Sequence, residues 1–166
     1  MKTIKEILYS SAEELYDFSS WELPISNTPF TESYVLDVDA NELTCESRYA
    51  PAVAYEGELY TVLTRVADCS GRRFMVCISV FRDRLFAQEY LKQLLIWSPI
   101  DVRFDKRYAM VGDRSFGLGP LAENSLLFIR SNVVVTVGYL NDGPDKNALL
   151  ELAGKIDTQI RTQPHT

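Results

Sequence analysis

Histidine is almost absent from this chain of 166 residues: the one histidine is His165, second from the C-terminus. A histidine general base or a histidine-based triad needs its imidazole in a fixed position, which a frayed tail does not provide. The chain also lacks a phosphate-binding loop, because no basic residue follows the glycines of segment 112–120 at the required spacing. We therefore predict no catalytic residue and no bound cofactor.

Cysteine is scarce as well, since the chain contains only Cys45, Cys69 and Cys77. Three cysteines cannot all pair within one chain, and their spacing matches no zinc pattern. We predict no metal site and expect thiols, which fit a reducing compartment. Whether all three are thiols is left open.

Long apolar runs are also missing. None approaches the roughly 20 residues of a membrane span, and the segment 1–10 lacks the apolar core of a signal peptide. We predict a cytoplasmic protein without a membrane span, although a chain trimmed of its export signal would look the same.

Basic residues are rare in the N-terminal third. Residues 1–58 contain three lysines and arginines against twelve aspartates and glutamates, a net charge of −9, whereas the remainder carries +3 and the whole chain −6. This excess repels phosphate backbones, so we predict no nucleic-acid binding. It suits a basic protein partner, and the alternative is a solvated, solubilising face.

The length favours one domain over residues 1–166, because most domains hold roughly 100–200 residues. Thr3 with Glu6 matches a capping box, and so does Ser11 with Glu14. We predict an N-terminal helix over 3–18, in one piece or two, an extended loop over 19–33, an α+β core over 34–161 and a loose tail over 162–166.

Two hairpins are predicted from apolar alternation. The first joins strands 58–68 and 73–82 through a turn at Cys69–Arg72, and its second strand is apolar on both faces, as central strands are. The other spans Ser125–Leu140, and we expect Asn132 to adopt the left-handed conformation at its turn. The glycine-rich stretch 112–120 is predicted to be a loop.

Two more helices are predicted, one beginning after Asp83 and ending near Trp97, the other over Asp145–Arg161. Hairpins with helices between them predict an α+β fold: an antiparallel sheet with the mid-chain and C-terminal helices packed on it, plus the N-terminal helix. The periodicity predicts these core residues: Phe74, Val76, Ile78, Val80, Leu91, Leu94, Phe128, Val133, Val135, Val137, Leu152 and Ile156.

The extended loop contains three large apolar side chains, Trp21, Leu23 and Phe30. Such side chains in an irregular segment either seal the core or form a binding hot spot. As a hypothesis, we assign them to a surface that contacts the partner.

Four carboxylates follow this loop: Asp37, Asp39, Glu42 and Glu46. Such a group can hold Ca²⁺ or act as an acid/base pair, but no EF-hand pattern is present, and an exposed acidic edge is the simpler interpretation. We assign the four to the same partner-binding surface.

Three segments carry a likeness to a known family: Val111–Phe116, Leu126–Val137 and Leu149–Asp157. Together with the order of elements from about residue 58 to 161, they resemble a PsbP-like α/β sandwich. The resemblance implies an antiparallel sheet with a helix inserted mid-chain and a C-terminal helix packed across it. It also implies an adaptor, a chaperone or another binding module.

The leading expectation for function is a non-catalytic protein-binding domain, such as a bacterial immunity-type inhibitor or a secretion-associated chaperone. The alternative is a small-ligand-binding or sensor domain with its pocket between sheet and helix. A hydrolase that uses carboxylates is the third hypothesis. The oligomeric state is left open, a homodimer included.

Overall fold

A computed structural model gives the fold, and the structure describes residues 2–21, 43–47, 59–97, 102–103, 111–118, 125–140 and 145–162. The helices are α1 (Ile4–Tyr16), α2 (Arg84–Trp97) and α3 (Lys146–Thr162), with a short 3-10 helix at Phe18–Ser20. The strands are β1 (Leu43–Ser47), β2 (Leu59–Cys69), β3 (Arg72–Phe81), β4 (Val102–Arg103), β5 (Arg114–Leu118), β6 (Ser125–Arg130) and β7 (Val133–Tyr139).

Within these residues the strands form one sheet in the order β1-β2-β3-β7-β6-β5-β4, and every neighbouring pair is antiparallel. The predicted α+β class, with an antiparallel sheet and N-terminal, mid-chain and C-terminal helices, is confirmed. None of the described helices has the length and apolar composition that crossing a membrane requires.

Helices cover the two faces of the sheet. Phe74, Val76, Ile78 and Val80 alternate along β3 and pack with the apolar side of α3, which includes Leu152. On the other face, residues such as Phe81, Leu127 and Val134 pack with α2 and α1. Because side chains of a strand alternate between faces, each central strand contributes to both apolar clusters.

The predicted core residues are buried, except Leu94, which is half-buried against the α1–α2 cluster. The expectation that β3 is covered on both faces holds only near its C-terminal end. On the α1–α2 face Ser79 and Phe81 are buried, whereas Met75 is 45% exposed and Cys77 is half-buried, because Phe81 is the β3 residue that packs in the α1–α2 cluster.

Side chains cap the helices where the sequence predicts. The Thr3 hydroxyl accepts from the Glu6 N–H at 3.2 Å, and the Glu6 carboxylate accepts from the Thr3 N–H at 2.7 Å. Asp83 accepts from the Phe86 N–H at 3.1 Å, and Asp145 caps α3 in the same way. Ser11 starts no second helix, since α1 runs through it without a break.

The hairpin turns differ in which residue adopts the left-handed conformation. Ser70 and Gly71 both have positive φ (50° and 73°), as the right-handed twist of a two-residue hairpin favours. In the turn between β6 and β7, Ser131 has a φ of 54°, and the assignment of this conformation to Asn132 was wrong. The side-chain amide of Asn132 instead donates to the backbone carbonyl of Phe81 at 2.6 Å. The backbone carbonyl of Asn132 accepts from the Phe81 N–H at 2.9 Å.

The glycine-rich stretch 112–120 is not simply a loop, because β5 occupies Arg114–Leu118 within it. Phe116 pairs with Leu127 and buries its ring on the α1–α2 face. Pairing with β6 and burial of this ring outweigh the low strand preference of Gly117.

Candidate functional site

The segment that enters β5 brings a carboxylate to the turn between β6 and β7. Gly112 has a φ of 70°, and a Cβ atom there would lie 2.6 Å from the carbonyl oxygen of Ile129. Only glycine combines this conformation with so close an approach. The next residue, Asp113, donates its N–H to the same carbonyl at 2.6 Å, which fixes where the Asp113 side chain begins.

The Asp113 carboxylate joins three parts of the fold. Its Oδ2 accepts from the Ser131 N–H at 2.8 Å and lies 3.0 Å from Nη1 of Arg84 on α2, while Oδ1 accepts from Nη1 of Arg130 at 2.7 Å. The bond to Ser131 holds a non-glycine residue in its left-handed conformation, which is otherwise unfavourable. Asp113 therefore positions two arginines, Arg84 and Arg130, and stabilises the turn.

The same network continues to α3. Nε and Nη2 of Arg130 donate to the two carboxylate oxygens of Asp157 at 2.7 and 2.8 Å, a bidentate pair. Asp157 is almost fully buried on α3. The hydrogen bonds that Arg130 donates to Asp157, opposed by burial, raise the pKa of Arg130 above its usual value. One chain of ion pairs thus connects α2, β6 and α3.

A cleft of about 250 Å³ opens beside Asp113. It lies between the first two turns of α2, the start of β5 and the segment that leaves α1. Its polar and aromatic lining is Ser20, Trp21, Arg84, Gln88, Asp113 and Arg114.

The Trp21 ring forms a fixed wall of this cleft. It is only 7% exposed and lies 5.0 Å from the ring of Phe18 and 5.7 Å from that of Phe116, measured between ring centres. The guanidinium of Arg114 lies 5.2 Å from the centre of the Trp21 ring, and its Nη2 donates to the Ser20 carbonyl at 3.3 Å. Arg114 is therefore held over the ring at the edge of the cleft.

Two polar side chains of α2 face the cleft. Gln88 lines the cleft and is 5% exposed. The Arg84 guanidinium contacts Asp113, and its Nε is buried without an acceptor in the described part of the chain. Burial lowers the pKa of the Arg84 guanidinium, against the opposing effect of Asp113.

This arrangement suits recognition of a polar ligand. Both Asp113 oxygens already accept hydrogen bonds, so the carboxylate orients the arginines. Among the described residues, no group of histidine, cysteine, aspartate and glutamate side chains is placed to hold a metal ion. The donors available to a ligand are guanidinium and amide N–H groups.

A second candidate surface is the apolar stripe of α1, formed by Ile4, Ile7 and Leu15. These side chains are 76%, 51% and 67% exposed. At about 100° per residue they fall within roughly 80° of each other around the helix axis. Ala12 and the partly buried Tyr9 and Tyr16, on another side of α1, attach the helix to the core.

Of the residues predicted from the sequence, Trp21 is buried in the α1–α2 cluster, which agrees with the alternative that it seals the core. Leu23, Phe30, Asp37, Asp39 and Glu42 lie outside the described residues. Glu46 lies on β1, which pairs with β2. For these six, the partner-binding assignment stays a prediction.

Sequence reasoning did not identify the cleft. Arg84 and Gln88 are four residues apart on α2, a spacing that places them on one helix face. This spacing and the Gly112–Asp113 pair were available signals, but nothing in the sequence indicates that the two segments meet.

Comparisons with known proteins found no match to the chain among family models, curated proteins or solved structures. The resemblance to the PsbP-like sandwich stays a prediction from the sequence pattern.

Proposed function

We propose that this chain is a non-catalytic protein-binding domain that contacts a basic partner through the apolar stripe of α1. The observation that carries the proposal is the exposure of Ile4, Ile7 and Leu15 on one helix face. Amphipathic helices of globular proteins turn such a face to the core. Since α1 is attached through Ala12 and two tyrosines, the stripe has no packing role within the described residues.

The dimensions of the stripe suit a helix or an extended segment of another protein. Ile4 and Leu15 are eleven residues apart, which corresponds to about 16 Å along the helix axis. Anchors repeated on one helix face are the usual means by which one amphipathic helix recognises another surface. Burying these side chains would supply the apolar centre of an interface.

The charge of the surrounding chain indicates the character of the partner. The exposed Glu14 follows Ile7 by two helical turns, on the same side of α1. Residues 1–58 as a whole carry a net charge of −9. A basic partner would be attracted at long range and then held by the apolar contact.

An immunity-type inhibitor of a basic bacterial toxin and a secretion-associated chaperone both fit this description, and the PsbP-like resemblance supports the same class. A cytoplasmic location belongs to the proposal. It agrees with the presence of Cys69 and Cys77 as thiols.

The proposal is tested by affinity capture from the native organism with two baits. The wild-type chain is compared with the double variant Ile7→Gln/Leu15→Gln, which retains good helix formers and removes the apolar stripe. The matched control is Leu85→Gln, at an equally exposed leucine of α2. Circular dichroism establishes that all three are folded.

We expect a basic protein to be captured by the wild type and by Leu85→Gln but lost from the double variant. The purified partner should bind the wild type in a one-to-one complex that weakens with added salt. Equal capture by the double variant, an acidic partner, or a second copy of this chain as the bound protein would contradict the proposal.

The second candidate function is a small-ligand-binding or sensor domain. The cleft of about 250 Å³ between α2 and the sheet favours it, although the volume is at the small end for a ligand pocket. A small-molecule library that raises the melting temperature, with no protein captured, would favour this function over the first.

A further inference from the structure

We propose that the cleft between α2, β5 and Trp21 is a binding site for a carboxylate group, held by Arg84, Arg114 and Gln88. This inference concerns a different surface from the stripe of α1 and does not depend on the protein-binding proposal.

The first argument is the direction of the donors. Arg84 and Gln88 project from one face of α2, and Arg114 lies across the cleft at the start of β5. The planar fork of an arginine matches the two oxygens of a carboxylate. Two such forks and an amide on facing walls can surround one carboxylate.

The second argument is that the ligand would complete a hydrogen bond that the described residues leave unmade. Burying a polar group without a partner is unfavourable, because the group loses its hydrogen bonds to water. Nε of Arg84, whose side chain lines the cleft, is buried without an acceptor in the described part of the chain. A carboxylate oxygen that accepts from this N–H group would satisfy it.

The third argument is the charge of the walls. Among the residues that line the cleft, Arg84 and Arg114 contribute two positive charges and Asp113 one negative charge, while Arg130 beside Asp113 is paired with the buried Asp157. The net positive charge of one matches a monoanion. A phosphate dianion would leave one negative charge unbalanced beside Asp113, so the site favours a carboxylate.

The volume of the cleft limits the size of the ligand beyond its carboxylate group. A volume of about 250 Å³ accommodates a carboxylate with a short carbon chain. Trp21 and Ile129 supply an apolar surface for such a chain. Both a free short-chain carboxylic acid and the C-terminal carboxylate of a peptide have this chemistry.

The proposal is tested by titrating the full chain with four probes and monitoring binding through the NMR chemical shifts of the amide groups. The probes are butyrate, inorganic phosphate, a short apolar peptide with a free C-terminus, and the same peptide as its C-terminal amide. We expect saturable binding of butyrate or of the free-acid peptide, with shifts at Gln88 and Arg114. Butyrate and the peptide pair distinguish the two sources of the carboxylate.

Substitutions of the lining residues test whether the carboxylate binds in the cleft. Arg114→Gln and Gln88→Leu should each weaken carboxylate binding by about tenfold, since each removes a donor to a charged acceptor, where hydrogen bonds are strongest. Arg84→Lys keeps a positive charge beside Asp113 but removes the planar guanidinium, so it tests whether the two-pronged geometry of Arg84 contributes to carboxylate binding. The control Lys155→Gln removes one positive charge from the exposed face of α3.

Three results would overturn the inference: no saturable binding of either carboxylate in the millimolar range, tighter binding of phosphate than of butyrate and the free-acid peptide, or equal weakening in Lys155→Gln. Unchanged binding in folded Arg114→Gln and Gln88→Leu would place the carboxylate elsewhere.

Discussion

At the residue scale, Gly112 shows how one missing side chain places a whole set of charges. Its positive φ and its approach to Ile129 bring Asp113 to the turn between β6 and β7. Asp113 then orients Arg84 and Arg130. The geometry of the cleft wall thus depends on a residue that has no functional group.

Gly112→Ala should destabilise the protein by about 2 kcal/mol or more, because a left-handed alanine is strained and its Cβ would collide with backbone. Gly154→Ala is the matched control in α3, where an added Cβ meets nothing within 4 Å. There the same substitution should stabilise by about 0.5–1 kcal/mol. Urea denaturation measures both, and equal effects of the two substitutions would contradict the account.

At the element scale, local patterns predicted most of what depends on neighbours in sequence. The capping residues Thr3, Asp83 and Asp145 mark the helix starts. Both hairpins lie where alternation and turn chemistry placed them. Strand β5 was missed because its glycine suppresses the local signal and its stability comes from pairing with β6.

The cleft could not be predicted for a related reason. Arg114 donates to the carbonyl of Ser20, 94 residues earlier in the chain. No period or spacing encodes such a contact, which results from packing α1 and α2 on the sheet. Likewise, the left-handed conformation at the turn falls on Ser131, whose N–H donates to Asp113 in a distant segment of the chain.

Leu152→Ala tests the packing of α3 as an element. Leu152 is 1% exposed in the apolar cluster between α3 and the sheet. Removing its side chain should lower the free energy of unfolding by about 2–5 kcal/mol. The same substitution at Leu85, 51% exposed on α2, should change it by less than about 0.5 kcal/mol. An unchanged denaturation midpoint for Leu152→Ala would show that α3 is not packed as described.

At the scale of the whole molecule, the two proposed surfaces belong to the layer formed by α1 and α2, and α3 covers the opposite face of the sheet. The ion pairs from Arg84 to Asp157 connect the layers at the turn between β6 and β7. The stripe of α1 lies outside this network. Changes to the stripe should therefore alter partner binding without altering the stability of the core.

The lifetime of the complex with the captured partner tests the central claim most directly. Dissociation rates are measured by surface plasmon resonance for the wild type, for Ile7→Gln/Leu15→Gln and for the control Leu85→Gln. If each stripe residue contributes more than about 1 kcal/mol to binding, the double variant should dissociate at least about tenfold faster, since 1.4 kcal/mol corresponds to a factor of ten. The control should dissociate at the wild-type rate. Equal rates for a folded double variant and the wild type would show that the partner binds elsewhere.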